Sequence, residues 1–304
     1  MKRKVIKQGN NTLTVTLPRK WTSKYHLNPG DEVEVEEKGR ELSIGTKKSL
    51  EEGKTVLKVS GPDKLVAQMI SVAYKKGFDE VRVEFDDTNA FKVIKKEVES
   101  ELLGYEIIDQ GKGFCIVKNI AEDLAKEFNT ILRKVFLSII EMSEESLNKI
   151  KNKDYDLEEV TLIEKANNKY TNFCKRILNK EGYADYHSSN FIYCIVWELE
   201  KIADEYRDIC NYLMGKKNAS IKKEIFGVYE GVNKMMKLFY DSFYDFEPNK
   251  VVEIANSRFK LQKEIKEIWP KAKTEDEKIL LHHLAILVIR IYGMTGPLNA
   301  MKLL

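Results

Sequence analysis

The stretch that decides the fold of the first part of the chain is a run of short alternating segments within residues 1–47. It reads Lys2-Arg3-Lys4-Val5-Ile6-Lys7-Gln8-Gly9, then Thr12-Leu13-Thr14-Val15-Thr16-Leu17-Pro18-Arg19-Lys20-Trp21, then Leu27-Asn28-Pro29-Gly30-Asp31-Glu32-Val33-Glu34-Val35. Alternation of apolar residues with threonine at 12–17 predicts a half-buried strand. Pro18 ends this strand, because proline donates no hydrogen bond to a neighbouring strand.

Further strands follow within the same stretch. Pro29-Gly30-Asp31 predicts a turn, and Val33 and Val35 alternate with glutamates in the next strand. Gly39 then turns the chain toward Leu42 and Ile44. Four strands of this length bury too little surface to be stable alone. We therefore expect a second chain to complete the fold.

The charge of the chain is divided unevenly. Residues 1–30 contain seven Lys and Arg and no Asp or Glu, and residues 1–48 contain 11 basic and 6 acidic residues, a net charge of +5. The whole chain carries only +3, so the remainder carries −2. We interpret the basic part as a DNA contact and the larger, slightly acidic part as the part that senses or docks.

Residues 1–48, called the head below, resemble the AbrB/MazE/SpoVT swapped-hairpin family. The resemblance lies in Lys4-Val5, Gly9, Val15 to Lys20, Leu27, Pro29-Gly30-Asp31 and Val33. It implies an all-β dimeric barrel of interleaved hairpins that contacts DNA. The residues that it implies for DNA contact are Arg3, Lys4, Lys7, Arg19 and Lys20. Trp21 departs from the smaller aliphatic residue of the family. The alternatives are a solvated basic face and a module that only dimerises, as in antitoxins that chiefly bind a toxin.

Several classes of protein are disfavoured by the rest of the sequence. No run approaches 18 apolar residues and no secretory pattern opens the chain, so we expect a cytoplasmic protein without membrane insertion. The four cysteines form no CxxC pair, and HExxH, GxxxxGK[ST] and GxSxG motifs are absent from the sequence. We therefore expect a protein that is not an enzyme.

Residues 49–118, called the middle segment, predict a small α/β domain. Strands at 55–59 and 79–85 alternate with helices beginning after Pro62 and near Asn89, and a hairpin around Gln110 to Gly113 follows. Asp86-Asp87-Thr88 is a helix-capping signal and Gly77 a helix-end signal. No residue pattern here indicates chemistry, so we expect pairing, spacing or support of a dimer.

Residues 119–304, called the body, predict helices throughout. Apolar residues recur with a period of 3.6 in segments near 120–149, 157–180, 188–215, 219–243, 249–268 and 275–293. The break near 215–220 divides them into two three-helix halves, 119–215 and 219–304. The fold class is therefore multidomain: an all-β swapped-hairpin head, an α/β middle segment and an all-α body of two three-helix bundles.

The third helix of the body carries a row of acidic residues. Glu200, Asp204 and Asp208 are four residues apart, so they lie on one narrow arc beside the apolar stripe. Like charges at this spacing repel each other, so the row needs a cation. That cation is either a metal ion or a Lys or Arg side chain, and Arg207 lies on the same side.

The same stretch resembles PhoU proteins, whose bundles carry a Glu-Arg-Ile-Gly-Asp-like signature. The matching residues are Glu200-Lys201-Ile202-Ala203-Asp204 and Asp208-Ile209. The whole arrangement looks like the archaeal phosphate uptake regulators. The resemblance implies a divalent metal or iron on Glu200, Asp204 and Asp208, with a face satisfied by salt bridges as the alternative. Asn167, Asn168 and Asn172 stand where acids would be expected on the companion helix, which weighs against the metal.

The sequence therefore leads to one functional hypothesis and two alternatives. The hypothesis is a dimeric, DNA-binding regulator of phosphate uptake, whose body responds through a phosphate transporter subunit or another regulatory protein. The first alternative is an adaptor that docks on such a protein and uses the head only to dimerise. The second, an antitoxin, is disfavoured by a body larger than a toxin-binding tail needs.

Overall fold

The computed structural model describes residues 2–9, 11–38, 41–45, 53–121, 124–183, 185–216 and 219–303. The chain divides into two compact units, Met1–Gly53 and Lys54–Leu304. The predicted boundary between head and middle segment, at 48/49, and the turn at Gly39 lie outside the described residues. The division into domains 1–48, 49–118 and 119–304 stays a prediction.

The first unit contains two antiparallel hairpins and one short helix. Strand β1 (Ile6–Gln8) pairs with β2 (Thr12–Thr14), and β3 (Glu34–Lys38) pairs with β4 (Glu41–Gly45). The predicted strand at 12–17 is shorter than expected, since β2 ends at Thr14. Pro18 precedes a helix, α1 (Arg19–Lys24), that the sequence did not lead us to expect. The fixed φ of proline suits a helix start as well as a strand end, which explains the difference.

The first unit has no buried side chain among those whose exposure the structure describes. Large apolar residues are exposed on its strands and on the segments beside them: Val5, Ile6, Leu13, Val15, Val35 and Leu42. A unit with this much exposed apolar surface lacks a core of its own. The observation agrees with the expectation that a second chain completes the head.

The second unit begins with a four-stranded mixed sheet. Its elements are β5 (Lys54–Val59), α2 (Asp63–Lys75), β6 (Glu80–Phe85), α3 (Thr88–Glu101), β7 (Tyr105–Gly111) and β8 (Phe114–Asn119). The strand order is β5-β6-β8-β7, with β5 and β6 parallel and the other pairs antiparallel. Both capping predictions are confirmed. The Asp87 carboxylate accepts from the Asn89 N–H at 2.9 Å, and Gly77 ends α2 with φ of +91°.

The body is helical, as predicted. Its helices are α4 (Phe128–Lys151), α5 (Glu158–Lys180), α6 (Ser189–Leu213), α7 (Lys223–Tyr244), α8 (Pro248–Ile268), α9 (Glu275–Gly293) and α10 (Thr295–Lys302). Helix α4 begins at 128 rather than near 120, after a 3₁₀ turn, and α7 begins at 223 rather than 219. The short α10 was not predicted, because Gly293, Gly296 and Pro297 all favour a chain break.

The long helices pack as two groups of three. Helices α4, α5 and α6 contact one another, and so do α7, α8 and α9. Contacts of α4 with α7 and of α6 with α9 join the two groups around one continuous apolar core. The predicted arrangement of two three-helix halves is confirmed.

One described segment, Glu275–Lys302, is long and apolar enough to cross a membrane by length and composition. It comprises α9 and α10. Leu281, Leu284, Leu287, Val288 and Ile291 of this segment are fully buried against the other helices. Because core helices of soluble proteins pass the same test, we interpret the segment as part of the core.

Candidate functional sites

The five cationic residues predicted for DNA contact lie in the first unit and are all exposed. Lys7 lies on β1, and Arg3 and Lys4 immediately precede that strand. Strand β2, which pairs with β1, leads through Pro18 to Arg19 and Lys20 at the start of α1. None of the five forms an ion pair with a carboxylate in the described part of the chain. Their charges are therefore available to an anionic partner.

The presence of Arg19 and Lys20 in the first turn of α1 is not explained by stabilisation of this helix. The N-terminal end of a helix carries partial positive charge and favours acidic side chains. The first turn of α1 has two cations and no acidic residue. Trp21, the departure from the family pattern, packs against Tyr25 with ring centroids 5.5 Å apart. Its larger side chain thus serves packing within α1.

In the second unit, the acidic row on α6 faces cationic side chains of the protein. Glu200 forms an ion pair with the Lys175 ammonium of α5, whose side chain is 0% exposed. Thr171 donates to Glu200 at 3.3 Å, and the Lys175 nitrogen lies 4.6 Å from the Trp197 ring centroid. Burial alone would raise the pKa of Glu200, but the charge and hydrogen bond of Lys175 outweigh it, and the pKa is lowered.

Asp204 and Asp208 are paired in the same way. Arg207 donates to Asp204 at 2.6 Å and to Asp208 at 2.9 Å. It also donates to Glu164, a buried carboxylate on α5, at 2.7 Å. Lys201 donates to Asp204 at 2.8 Å. One arginine therefore joins three carboxylates across α5 and α6.

The carboxylates of the row are satisfied without a metal ion. Each carboxylate of the row already faces Lys or Arg, and the described part of the chain holds no group of three or more His, Cys, Asp or Glu placed to bind a metal. Asn167 donates to the Val135 carbonyl at 3.1 Å and to Ser138 at 2.7 Å. Asn168 donates to Glu164 at 2.8 Å. The geometry favours the salt-bridge face, and we derive no metal chemistry from it.

A group of polar residues that sequence reasoning missed joins α5 to the middle segment. Arg176, which is 3% exposed, donates to the Tyr74 and Phe78 carbonyls at 2.9 and 2.6 Å and to Asp79 at 2.6 Å. Its guanidinium lies beside both the Tyr74 and Tyr105 rings, 5.0 and 5.2 Å from their centroids. Lys180 adds a second ion pair to Asp79 at 2.7 Å.

The same face of α5 satisfies carbonyl groups at the ends of both α/β helices. Asn179 donates to the Lys75 carbonyl at the end of α2, at 2.7 Å. Lys169 donates to the Glu99 carbonyl at the end of α3, at 2.9 Å. The last carbonyls of a helix have no partner within it and favour donors and positive charge. Residues 169, 172, 176, 179 and 180 recur at helical spacing, a polar stripe that the sequence does display.

Glu101, at the end of α3, lies close to this junction and is partly buried. Burial and the charges of Glu97, Glu164 and Glu200 raise its pKa to about 7, although Lys169 opposes the shift. The residue therefore changes its charge near neutral pH. Carboxylates from α3, α5 and α6 thus act on one another across the junction.

Comparison with known proteins supports the interpretation of the head as a swapped-hairpin domain. Residues 6–51 match the family described as antidote-toxin recognition MazE, bacterial antitoxin. Searches of curated proteins and of solved structures found no match to the chain. The match covers most of the head and the first three residues of the middle segment. It supports a swapped-hairpin domain of the MazE/AbrB type and a regulator of the DNA-binding or antitoxin type.

Proposed function

We propose that this protein is a homodimeric transcription regulator of phosphate uptake, which binds DNA through Arg3, Lys4, Lys7, Arg19 and Lys20. The observation that carries the proposal is the exposed positive charge of the head. Its five cations are exposed and have no carboxylate partner in the described part of the chain, and acidic residues are absent from residues 1–30. Phosphate groups are the anions that such a surface meets on DNA.

The dimer is supported by the missing core of the first unit. Six large apolar side chains are exposed there, and no side chain of described exposure is buried. A second copy supplies the same apolar residues and covers both sets at once, which is how a two-fold interface works. A chain that sedimented as a monomer at micromolar concentration would argue against the dimer.

The link to phosphate rests on the body. Its two three-helix halves and the stretch Glu200 to Ile209 resemble PhoU proteins. In this proposal the body responds to phosphate status through a protein partner, such as a transporter subunit or another regulator, and biases DNA binding by the head. The protein has no catalytic role in the proposal.

Fluorescence anisotropy with labelled DNA tests the proposal. Full-length protein is titrated with DNA from its own promoter, from phosphate-transporter operons and from an unrelated gene, at several salt concentrations. We expect preference for the first two, and a loss of about tenfold or more in affinity for Arg19→Ala/Lys20→Ala. The log–log salt slope should fall by about 4, since the dimer loses the Arg19 and Lys20 contacts of both copies and each lost phosphate contact removes roughly 0.9.

A matched control is Lys95→Ala/Lys96→Ala, which removes two exposed lysines from α3. This variant should bind DNA like the wild type. Equal, weak binding by all three proteins would reject DNA binding. The second candidate function, an adaptor or antitoxin-type protein that uses the head to dimerise or to bind a protein, would then stand. It is favoured by the description of the family that the head matches.

A further inference from the structure

A groove with an apolar floor and an acidic rim runs between α4 and α5. Its volume is about 520 Å³. Its apolar residues are Leu137, Ile140, Val160 and Ile163, and its acidic residues are Glu141, Glu144, Glu145 and Glu159. No basic residue lines this groove, which is called the acidic groove below.

Part of the acidic charge in the groove is not neutralised. Glu144 pairs with Lys237, and Glu159 lies 4.0 Å from Lys149. Glu141 and Glu145 have no cationic partner in the described part of the chain. Leu137, one of the apolar residues of the groove, is 46% exposed. Apolar surface beside unpaired carboxylates is typical of a site that receives an apolar and cationic partner.

A surface of the opposite character lies on α8. The buried residues Ile254, Leu261 and Ile265 define its inner face. At 100° per residue, the opposite face carries Val252, Asn256, Phe259, Lys263, Lys266 and Glu267, of which the first five are called the α8 ridge below. Phe259 is 64% exposed and Val252 57% exposed. Lys263 and Lys266 form no ion pair with the described residues.

We propose that the α8 ridge of one copy of this protein docks into the acidic groove of a second copy. Phe259 and Val252 cover the apolar floor, and Lys263 and Lys266 meet Glu141 and Glu145. Both surfaces belong to the same chain, so a second copy always supplies the complement in charge and in apolar character. The contact goes beyond the proposed function, because closure of the head requires no contact between bodies.

The arrangement of the helices allows the contact to form twice. Helices α5, α4, α7 and α8 follow one another in contact. The groove lies at the α5–α4 end of this row and the ridge at the α8 end. In the proposed contact, a two-fold axis places each ridge against the groove of the other copy. Such a closed contact limits assembly to a pair and avoids open filaments.

Site-directed cross-linking in the full-length protein tests the contact. In a Cys194→Ser background, which removes an exposed native thiol, Leu137→Cys and Phe259→Cys are placed on separately tagged chains and co-expressed. Each chain carries one new cysteine, so a disulfide that joins the two differently tagged chains is a link between two copies. Asn129→Cys, an exposed position on α4 away from the groove, replaces Leu137→Cys in the control pair. We expect the Leu137/Phe259 pair to cross-link about tenfold faster than the control.

Reversal of charge supplies the second measurement. Glu141→Lys/Glu145→Lys and Lys263→Glu/Lys266→Glu, each built into both chains, should each slow the cross-link about tenfold, because an exposed ion pair is replaced by repulsion. All four changes together should restore the rate, which general damage to the fold would not do. Rates equal to the Asn129 control, or no rescue by the fourfold variant, would overturn the proposal. DNA binding is measured separately, so failure of this contact leaves the proposed function untouched.

Discussion

Arg176 is the side chain whose loss tests most directly how the middle segment is held to the body. Arg176→Met keeps an apolar stem beside the Tyr74 and Tyr105 rings but removes the guanidinium donors to the Tyr74 and Phe78 carbonyls and to Asp79. The Tyr74 carbonyl keeps the Gly77 N–H as a donor and the Phe78 carbonyl keeps the Tyr105 hydroxyl, so each lost hydrogen bond from the guanidinium costs about 1–1.5 kcal/mol. Asp79 keeps Lys180, so loss of that ion pair adds only about 0.5 kcal/mol. The expected loss of stability is therefore about 3 kcal/mol.

The matched control is Lys180→Met. Lys180 is 31% exposed and Asp79 keeps Arg176 in this variant, so the loss should stay below about 1 kcal/mol. Hydrogen exchange of the α2 amides measures the local opening, and urea denaturation measures the overall stability. Exchange in α2 should become about 100-fold faster in Arg176→Met. A difference of less than about 1 kcal/mol between the two variants would refute the reasoning.

Two further predictions concern buried charge at the same junction. The pKa of Glu101 is raised to about 7, against 4.5 for a free glutamate. As pH rises, the unfolded chain therefore loses this proton at a lower pH than the folded chain does. The stability of the fold consequently falls as pH rises from about 4.5 to about 7. Glu101→Gln should therefore match the wild type at pH 4 and exceed it by up to about 3 kcal/mol at pH 8 in urea denaturation, whereas the exposed Glu99→Gln should not. Glu200→Ala should cost about 3 kcal/mol, because it leaves the Lys175 ammonium buried without a carboxylate. Lys175→Met should cost only about 1 kcal/mol, since Glu200 keeps Lys201 at 3.4 Å; equal losses in thermal denaturation would contradict this account.

Local signals in the sequence predicted most of the elements, and they failed where one residue suits two structures. The α/β order at 54–119 followed from alternation, from the Asp87 cap and from Gly77. Pro18 misled, because it both ends a strand and begins a helix. Gly296 and Pro297 are a similar case, since both favour a chain break but α10 accommodates them near its start.

The acidic row shows why the site was harder to predict than the fold. Its spacing on α6 was evident, and so was Arg207 as a counter-ion. The sequence did not show that Lys175, 25 residues before Glu200, is also a counter-ion of the row. Contact between side chains of α5 and α6 depends on the rotation of each helix about its axis. Arg176 was missed for the same reason, since its partners lie about 100 residues away in sequence.

Lys175 and Arg176 are neighbours in sequence, yet they serve two different contacts. Lys175 points to the acidic row of α6, and Arg176 to the ends of α2 and β6. The charge of the row acts on α5 through Lys175, and α5 holds both α/β helices through their terminal carbonyls. The middle segment is therefore fixed to the first half of the body and is not a free spacer. In the proposed function, a partner that alters α6 would displace the sheet as a rigid part of the body, because both contacts lie on adjacent residues of one helix.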